Sequence, residues 1–455
     1  MIVMKKSSFF EVNMLSGPIV KNLFLFAFPL MLSNLLQSLY NMADMVVLGR
    51  FAGKAALAAV GTTGSTYSLI VNVFLGVSMG AGILIAQQMG AKDAKAVNRT
   101  VHTSAAVVII LGVVVAVLGV ILSPLMLELI DTPADIIDDA VLYLRYLFIG
   151  IPATVASTFG AAILRSAGNS RQPMYYLGIS GALNVVLNLF FVLGFNMSVE
   201  GVALATIISQ YLSAFLMWQH LYKTGECYYF SFKEIKIHKA ELIKMVKIGI
   251  PSGIQMSMFS ISNLLIQSAI NSFGTDFVAA NTTSVNVENI TLITITAITQ
   301  AIMVFSGQNF GAKNIKRLKE IFLKGMAVTA VWSLCVGGFC LLFGETLMNI
   351  YTSEQHIIEI GLRRIAVICP FYFVCGFYEC TLGVVRSMGY SLSPMIASVV
   401  GICGFRILYV ETVFRKITTF EALLSVYPVS WSFTVVLLVI LFVIYYNKEK
   451  KKLLS

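Results

Sequence analysis

The sequence predicts an all-α polytopic membrane protein of twelve transmembrane helices, arranged as two six-helix halves. Three observations predict it: a composition too apolar for a water-soluble surface, a regular succession of long apolar runs, and an internal repeat. Of 455 residues, 58% are hydrophobic and 12% charged, and the mean hydropathy is +0.84. A soluble domain carries about 25% charged residues, so a secreted, cytosolic or disordered protein is excluded. Each spanning helix needs about 20 apolar residues, which with short loops leaves room for about twelve. The alternating segments of an outer-membrane barrel are not seen.

Apolar runs place the spans at 22–48, 56–88, 100–122, 140–164, 174–195, 199–222, 245–271, 277–306, 322–344, 360–385, 394–414 and 424–446. The first, second, seventh and eighth exceed the ~20 residues a bilayer requires, which implies tilt, bends or extension beyond it. The run beginning near Leu23 is too long, and lacks a cleavage signature, for a removable signal peptide.

Charge gives the orientation. The formal charge of +10 comes from 32 Lys+Arg against 22 Asp+Glu, and the basic residues sit in short loops on one side. These are Lys5, Lys6 and Lys21; Lys92, Lys95 and Arg99; Arg165 and Arg171; six lysines over 223–247; five basic residues over 313–324; Arg386; and Lys448–Lys452. Together they are 24 of the 32 basic residues. The opposite loops Glu128–Asp139 and Glu345–Glu359 are acidic and hold no Lys or Arg. Both termini and the central linker are therefore expected in the cytoplasm of a cell-membrane protein. No nucleic-acid partner is expected. The seven cysteines form no C-x-x-C, so no zinc or redox motif is supported.

The repeat has a period of about 221 residues. Ile163–Gly168 with Pro173 returns as Val384–Gly389 with Pro394, and Gln87–Lys92 returns as Gln308–Lys313. Gly53 with Leu57-Ala58-Ala59 matches Gly274 with Val278-Ala279-Ala280, and Pro29 matches Pro251. The expected organisation is a bundle over 1–222, a cytoplasmic linker over 223–244 and a second bundle over 245–455. An even number of spans per repeat makes the halves parallel, and transporters built this way bind substrate between halves and rock one against the other. Gly76-x-x-x-Gly80, matched by Ala297-x-x-x-Ala301, suits close helix packing.

Polar side chains at membrane depth are the functional candidates. Asn34, Gln37, Asn41 and Asp44 recur at helical spacing on one face of the first span, with Tyr40 beside them and a bend offered at Pro29. Such a face either lines a water-filled cavity or belongs to a static hydrogen-bond network. Ser180, Asn184 and Asn188 supply a partner face in the fifth span, and Thr206 a hydroxyl in the sixth. One carboxylate among amides and hydroxyls suits Na⁺ or a proton equally. Glu288 lies on a second stripe with Asn281, Ser284 and Thr291, and Glu379 lies in the tenth span. Arg363, Arg364 and Arg406 lie near or within the second half's helices and offer ion pairs, so a structural pair and a transport role both stand for these acids. No phosphate-binding G-x-x-x-x-G-K-[ST], H-E-x-x-H or G-x-S-x-G occurs, and the four histidines are scattered, so no enzyme is expected.

Several segments together resemble the multidrug and toxic compound extrusion (MATE) transporters. They are Pro29, Tyr40-Asn41-Met42-Ala43-Asp44, Gly49, Gly53 and Ala56–Ala59; Leu164–Met174; Gly201–Thr206; Gly307–Lys313; and Arg386–Pro394. The likeness covers nearly the whole chain and looks closest to the DinF-like branch. It implies two pseudo-symmetric bundles around a central cleft and H⁺- or Na⁺-coupled export of organic cations, with no other cofactor. By position it implicates Tyr40, Asp44, Asn184 and Thr206 in coupling, with Na⁺ a candidate ligand at Asp44. Asn188 departs from the family pattern, where an aspartate is frequent, so coupling falls to Asp44 alone or is shared with Glu288 and Glu379.

The expectation is thus an antiporter in the cytoplasmic membrane, a monomer among lipids, exporting amphipathic and often cationic small molecules. Asp44 is its coupling residue; Gln37, Asn41, Asn34, Glu288 and Glu379 are secondary coupling or substrate residues; Pro29 and Pro251 are hinges. A lipid-linked glycan flippase or narrow-metabolite exporter of the same superfamily is the first rival. A non-transporting receptor or scaffold is the second, though it would need neither the duplicated halves nor the paired stripes.

Overall fold

The computed structural model describes residues 12–52, 54–130, 132–134 and 136–454. Lys5, Lys6 and Gly53, and the side chains of Ala56, Leu57 and Ala58, lie outside the described residues. Among the described residues twelve long helices follow one another: α1 Ile19–Phe51, α2 Lys54–Gly90, α3 Ala94–Glu128, α4 Ile137–Ser166, α5 Arg171–Gly194 and α6 Val199–Lys223. A linker leads to α7 Lys239–Asn271, α8 Thr275–Gly311, α9 Ile315–Leu342, α10 Gln355–Ser387, α11 Leu392–Phe414 and α12 Phe420–Leu453. Among the described residues eleven of these are long and apolar enough to cross a membrane. The twelfth, α7, has 33 residues; its serines, Gln255, Asn263 and Gln267 dilute its hydropathy, and the structure spends several of them on internal hydrogen bonds.

The helices overrun the expected spans by a turn at many ends, some of them through capped turns that extend beyond the apolar runs. The caps show the repeat at atomic level. Asp93 accepts from the backbone N–H of Ala96 at 3.0 Å, and its counterpart Asn314 accepts from Arg317 at 3.1 Å. The residues just before them, Lys92 and Lys313, both sit at φ +57°, and Gly168 and Gly389 both turn the chain at positive φ. Only glycine adopts that last conformation without strain.

The chain divides into two compact units: Leu32–Gly253 with the segment ending at Asn13, and Met14–Met31 with Ile254–Ser455. These units differ from the sequence halves in who holds the ends of α1 and α7. The first unit is cored by Leu144, Phe148, Ile151, Val155 and Phe159 of α4, all fully buried. Here α2 and α7 nearly touch: a Cβ on Gly76 would sit 2.3 Å from Gly253 N, and one on Gly80 2.3 Å from Met245 O. Gly249 presents the same limit from the other side, 2.5 Å from Val77 Cα. The linker is fastened to this unit by buried Cys227, Tyr228 and Phe230. Its far end is tied by Glu241, which accepts from Arg99 Nε at 2.7 Å. Partial burial pushes the Glu241 carboxyl up, but the Arg99 hydrogen bond and charge outweigh it and leave it below the usual range. The second unit packs around Ile295, Ile365, Tyr372, Leu423 and Leu438.

Candidate functional site

Asp44 lies near the end of α1, half-buried, and faces α5 and α6 across a small polar cavity of about 60 Å³. Gln37, Tyr40 and Asn41 line it from the same helix, Ser180, Gly181 and Asn184 from α5, and Thr206, Ser209 and Gln210 from α6. The 3-4-3 stripe on α1 and the four-residue stripe on α5 therefore meet. Asn34, a turn earlier on α1, is half-buried and is not among the lining residues.

The hydrogen bonds form a chain. Asn188, fully buried, donates its amide Nδ2–H to Asp44 Oδ1 and to Asn184 Oδ1. Asn184 donates to Thr206 Oγ1 at 3.4 Å, and Thr206 donates to Val202 O at 2.9 Å. Asn188 Oδ1 is left buried without a partner, as is Ser209 Oγ. Unsatisfied buried acceptors are uncommon and costly, and these two stand beside a single carboxylate. The cavity has room for a water-sized guest or a bare cation, and its donor set is oxygen throughout. Among the described residues no cluster of three or more His, Cys, Asp or Glu could hold a metal ion. One carboxylate with neutral oxygens suits a monovalent cation or a proton.

Two local features position the site. Tyr40 lies so flat on α5 that a Cβ on Gly181 would fall 1.7 Å from its ring, and its hydroxyl donates to Gly178 O at 3.2 Å. Gly181, Ser209 and Gln210 are lining residues that sequence reasoning missed; the signals available were a glycine beside the α5 stripe and two polar residues on the face of α6 that carries Thr206. Beyond the site, α1 and α5 both widen into π-helical turns, at Leu48–Ala52 and Phe190–Gly194. Such turns shift the helical register and occur often at functional sites.

The other two acids are separate from this cavity. Glu288 of α8 is bound bidentately by Arg364 of α10, at 3.1 Å from Nε and 2.9 Å from Nη2, and accepts from the Tyr372 hydroxyl at 2.9 Å. Arg364 also donates to Asn281 Oδ1 at 2.8 Å. Both charged side chains are buried. Arg363 instead pairs with Glu421 at the exposed surface. Among the described residues Arg406 has no carboxylate in its hydrogen bonds; it is fully buried, donates to Asn263 Oδ1 at 2.8 Å and to Ser262 and Ser430, and lies against the Tyr427 ring. Glu379, on α10, has Arg386 as its charged neighbour.

Comparison with known proteins places this architecture. The MatE family model matches the chain twice, over residues 29–190 and 251–410. The chain is 26% identical over 398 residues to a probable multidrug resistance protein, YoeA, of Bacillus subtilis, covering 85% of each. It is 28% identical over 393 residues to the probable multidrug resistance protein NorM of Thermotoga maritima, covering 85% of this chain and 84% of that protein. Among solved structures, an outward-facing multidrug resistance MATE family transporter of the MOP superfamily superposes with a TM-score of 0.90 at 21% identity, over 98% of this chain and 100% of that one. A MOP superfamily transporter from Pyrococcus furiosus, described by the reverse polarity of its binding pocket, superposes with a TM-score of 0.89 over the same shares. The twelve-helix fold is thus that of these transporters, and the double family match covers most of both halves. The chain belongs to the MatE family: it is a MATE transporter, a multi-pass protein of the cytoplasmic membrane and not an enzyme.

Proposed function

We propose that this transporter is a cation-coupled antiporter, exporting amphipathic and often cationic small molecules by alternating access with H⁺ or Na⁺ as the coupling ion at Asp44. One observation carries the reading: the first unit holds a lone carboxylate in a polar cavity, bonded by an amide whose own oxygen has no partner. An amide serves both charge states of its neighbour. Its N–H donates to the carboxylate, and its oxygen can accept from the protonated acid after the group rotates. The same oxygen, with Asp44 and Thr206, can instead join a ring of ligands around Na⁺. Asn188 thus replaces a second carboxylate without itself carrying a proton, leaving one charge to be exchanged per cycle. The names of the relatives support a multidrug substrate class. The first-half site supports the DinF-like branch. Cytoplasmic termini follow from the loop charges, and a monomer suffices because one chain holds the whole site.

The test is accumulation of a fluorescent organic cation in energised cells expressing wild type, Asp44→Asn or no transporter, repeated across pH and Na⁺ concentration. Wild type is expected to lower accumulation and Asp44→Asn to match the empty control. Full export by Asp44→Asn would move coupling to Glu288 and Glu379. Unchanged accumulation with wild type present in the membrane would reject the cationic substrate class in favour of a narrow metabolite.

A further inference from the structure

We propose that the first unit carries a site for one anionic phospholipid of the cytoplasmic leaflet, with an acyl chain in a groove between α3, α4 and α6 and the headgroup on the linker lysines. The groove has a volume of about 520 Å³ and an almost wholly apolar lining. Its floor is made of small side chains, Ala105, Ala153 and Ala214, and its walls include exposed Ile109 and Phe215. Behind it α3 and α4 touch, since a Cβ on Gly112 would lie 3.1 Å from Pro152 Cα. A concave apolar surface turned to hydrocarbon is filled by hydrocarbon, and an acyl chain matches its chemistry.

The cytoplasmic end of the groove identifies the rest of the molecule. Trp218 is pinned by donating its indole N–H to Ala156 O at 2.8 Å. Phe230 of the linker packs edge-on against Trp218, and Phe232 edge-on against Phe230, each with centroids 4.8 Å apart. Both linker rings line the groove, yet Phe232 is 71% exposed. An aromatic ring so placed belongs at a membrane–water interface, where its apolar face is covered by lipid. In the same stretch of chain Lys223, Lys233, Lys236 and Lys239 are exposed, and none of them enters an ion pair among the described residues. Three acids share this stretch: Glu241 is paired with Arg99, Glu234 keeps its charge while accepting from the neutral Tyr229 hydroxyl at 2.9 and 2.8 Å, and Glu226 is the third, so the four lysines outnumber the acids not paired with Arg99. Free positive charge at the mouth of an acyl groove selects a negative headgroup, by about fivefold per lysine near the surface.

The experiment uses the full chain purified from membranes in mild detergent, with retained lipid measured by native mass spectrometry. Melting temperature is then followed on addition of phosphatidylglycerol or phosphatidylcholine. Wild type is expected to retain one anionic phospholipid and to be stabilised by phosphatidylglycerol above phosphatidylcholine. Ile109→Trp with Val113→Trp fills the groove from two exposed positions, so the fold is kept, and should abolish both retention and the response. Lys233→Gln with Lys236→Gln should keep a retained phospholipid but lower the preference for the anionic headgroup by about 25-fold, the product of two such lysines. Lipid-free wild type, equal retention by the tryptophan variant, or an unchanged headgroup preference in the lysine variant would each overturn the proposal.

Discussion

Glu288 and Asp44 are both carboxylates at membrane depth, and their surroundings give them different work. Glu288 has its charge answered by a bidentate guanidinium and its second oxygen further bonded by Tyr372. A pair so fully satisfied holds α8 and α10 together and gives up neither partner readily, because removing one leaves the other charge buried alone at a cost of about 3–5 kcal/mol. Glu288→Gln is therefore expected to lower the melting temperature of the purified protein sharply. Glu288→Leu combined with Arg364→Met should recover most of the loss and retain export. An unchanged melting temperature in Glu288→Gln, with export lost, would instead make Glu288 a coupling residue. Among the described residues Asp44 has no such cation in its hydrogen bonds, only the Asn188 amide and the Thr206 hydroxyl, and its replacement by asparagine should leave the melting temperature nearly unchanged. The sequence stripes put Asp44 and Glu288 on equal footing, since periodicity shows which residues share a helix face and not what faces them. Arg364 was one of three arginines offered as partners, but it lies 76 residues from Glu288, a separation over which no local pattern could choose among them.

At the scale of elements, hydropathy made the helices legible because lipid leaves the backbone no other way to satisfy its hydrogen bonds. The contacts between helices were less so. Gly76-x-x-x-Gly80 stood out as a packing motif, but its partner surface, Gly249-x-x-x-Gly253 on α7, reads in sequence as part of a proline bend. The structure shows the two motifs interlocked, with neither helix able to accept a side chain at the crossing. Gly76→Leu must push α7 away and is expected to destabilise by about 1–3 kcal/mol or more, whereas Gly61→Ala in the same helix, with nothing within 4 Å of its Cβ, should be close to neutral. Thermal unfolding of the two variants side by side checks this, and equal effects would show that the crossing is slack. The π-helical turns of α1, α5 and α11 were not legible at all. They insert a register shift without changing composition, so a hydropathy window passes over them.

At the scale of the whole molecule, the twofold sequence repeat and the twofold family match describe the same duplication, yet the compact units do not coincide with the duplicated halves. Two helices cross over: α1 begins with the second unit and leaves it after Met31, and α7 begins with the first and leaves it after Gly253. Each crossing falls two residues beyond a helix-interior proline, Pro29 and Pro251. Proline removes an intrahelical hydrogen bond and weakens the helix to bending at that turn, so each of these two passages between units lies beside a weakened turn. If the units move as bodies during transport, these two turns must absorb the change. Pro29→Ala with Pro251→Ala restores the missing bonds and should leave the melting temperature the same or higher, since proline is about 3 kcal/mol less favourable than alanine in a helix interior. Export of the fluorescent cation should nevertheless fall severalfold, with Asp44 intact. Wild-type export by a double variant that melts no lower would show that the bend at the prolines is not used, and would place the motion elsewhere along α1 and α7 or at the Asn13–Met14 passage.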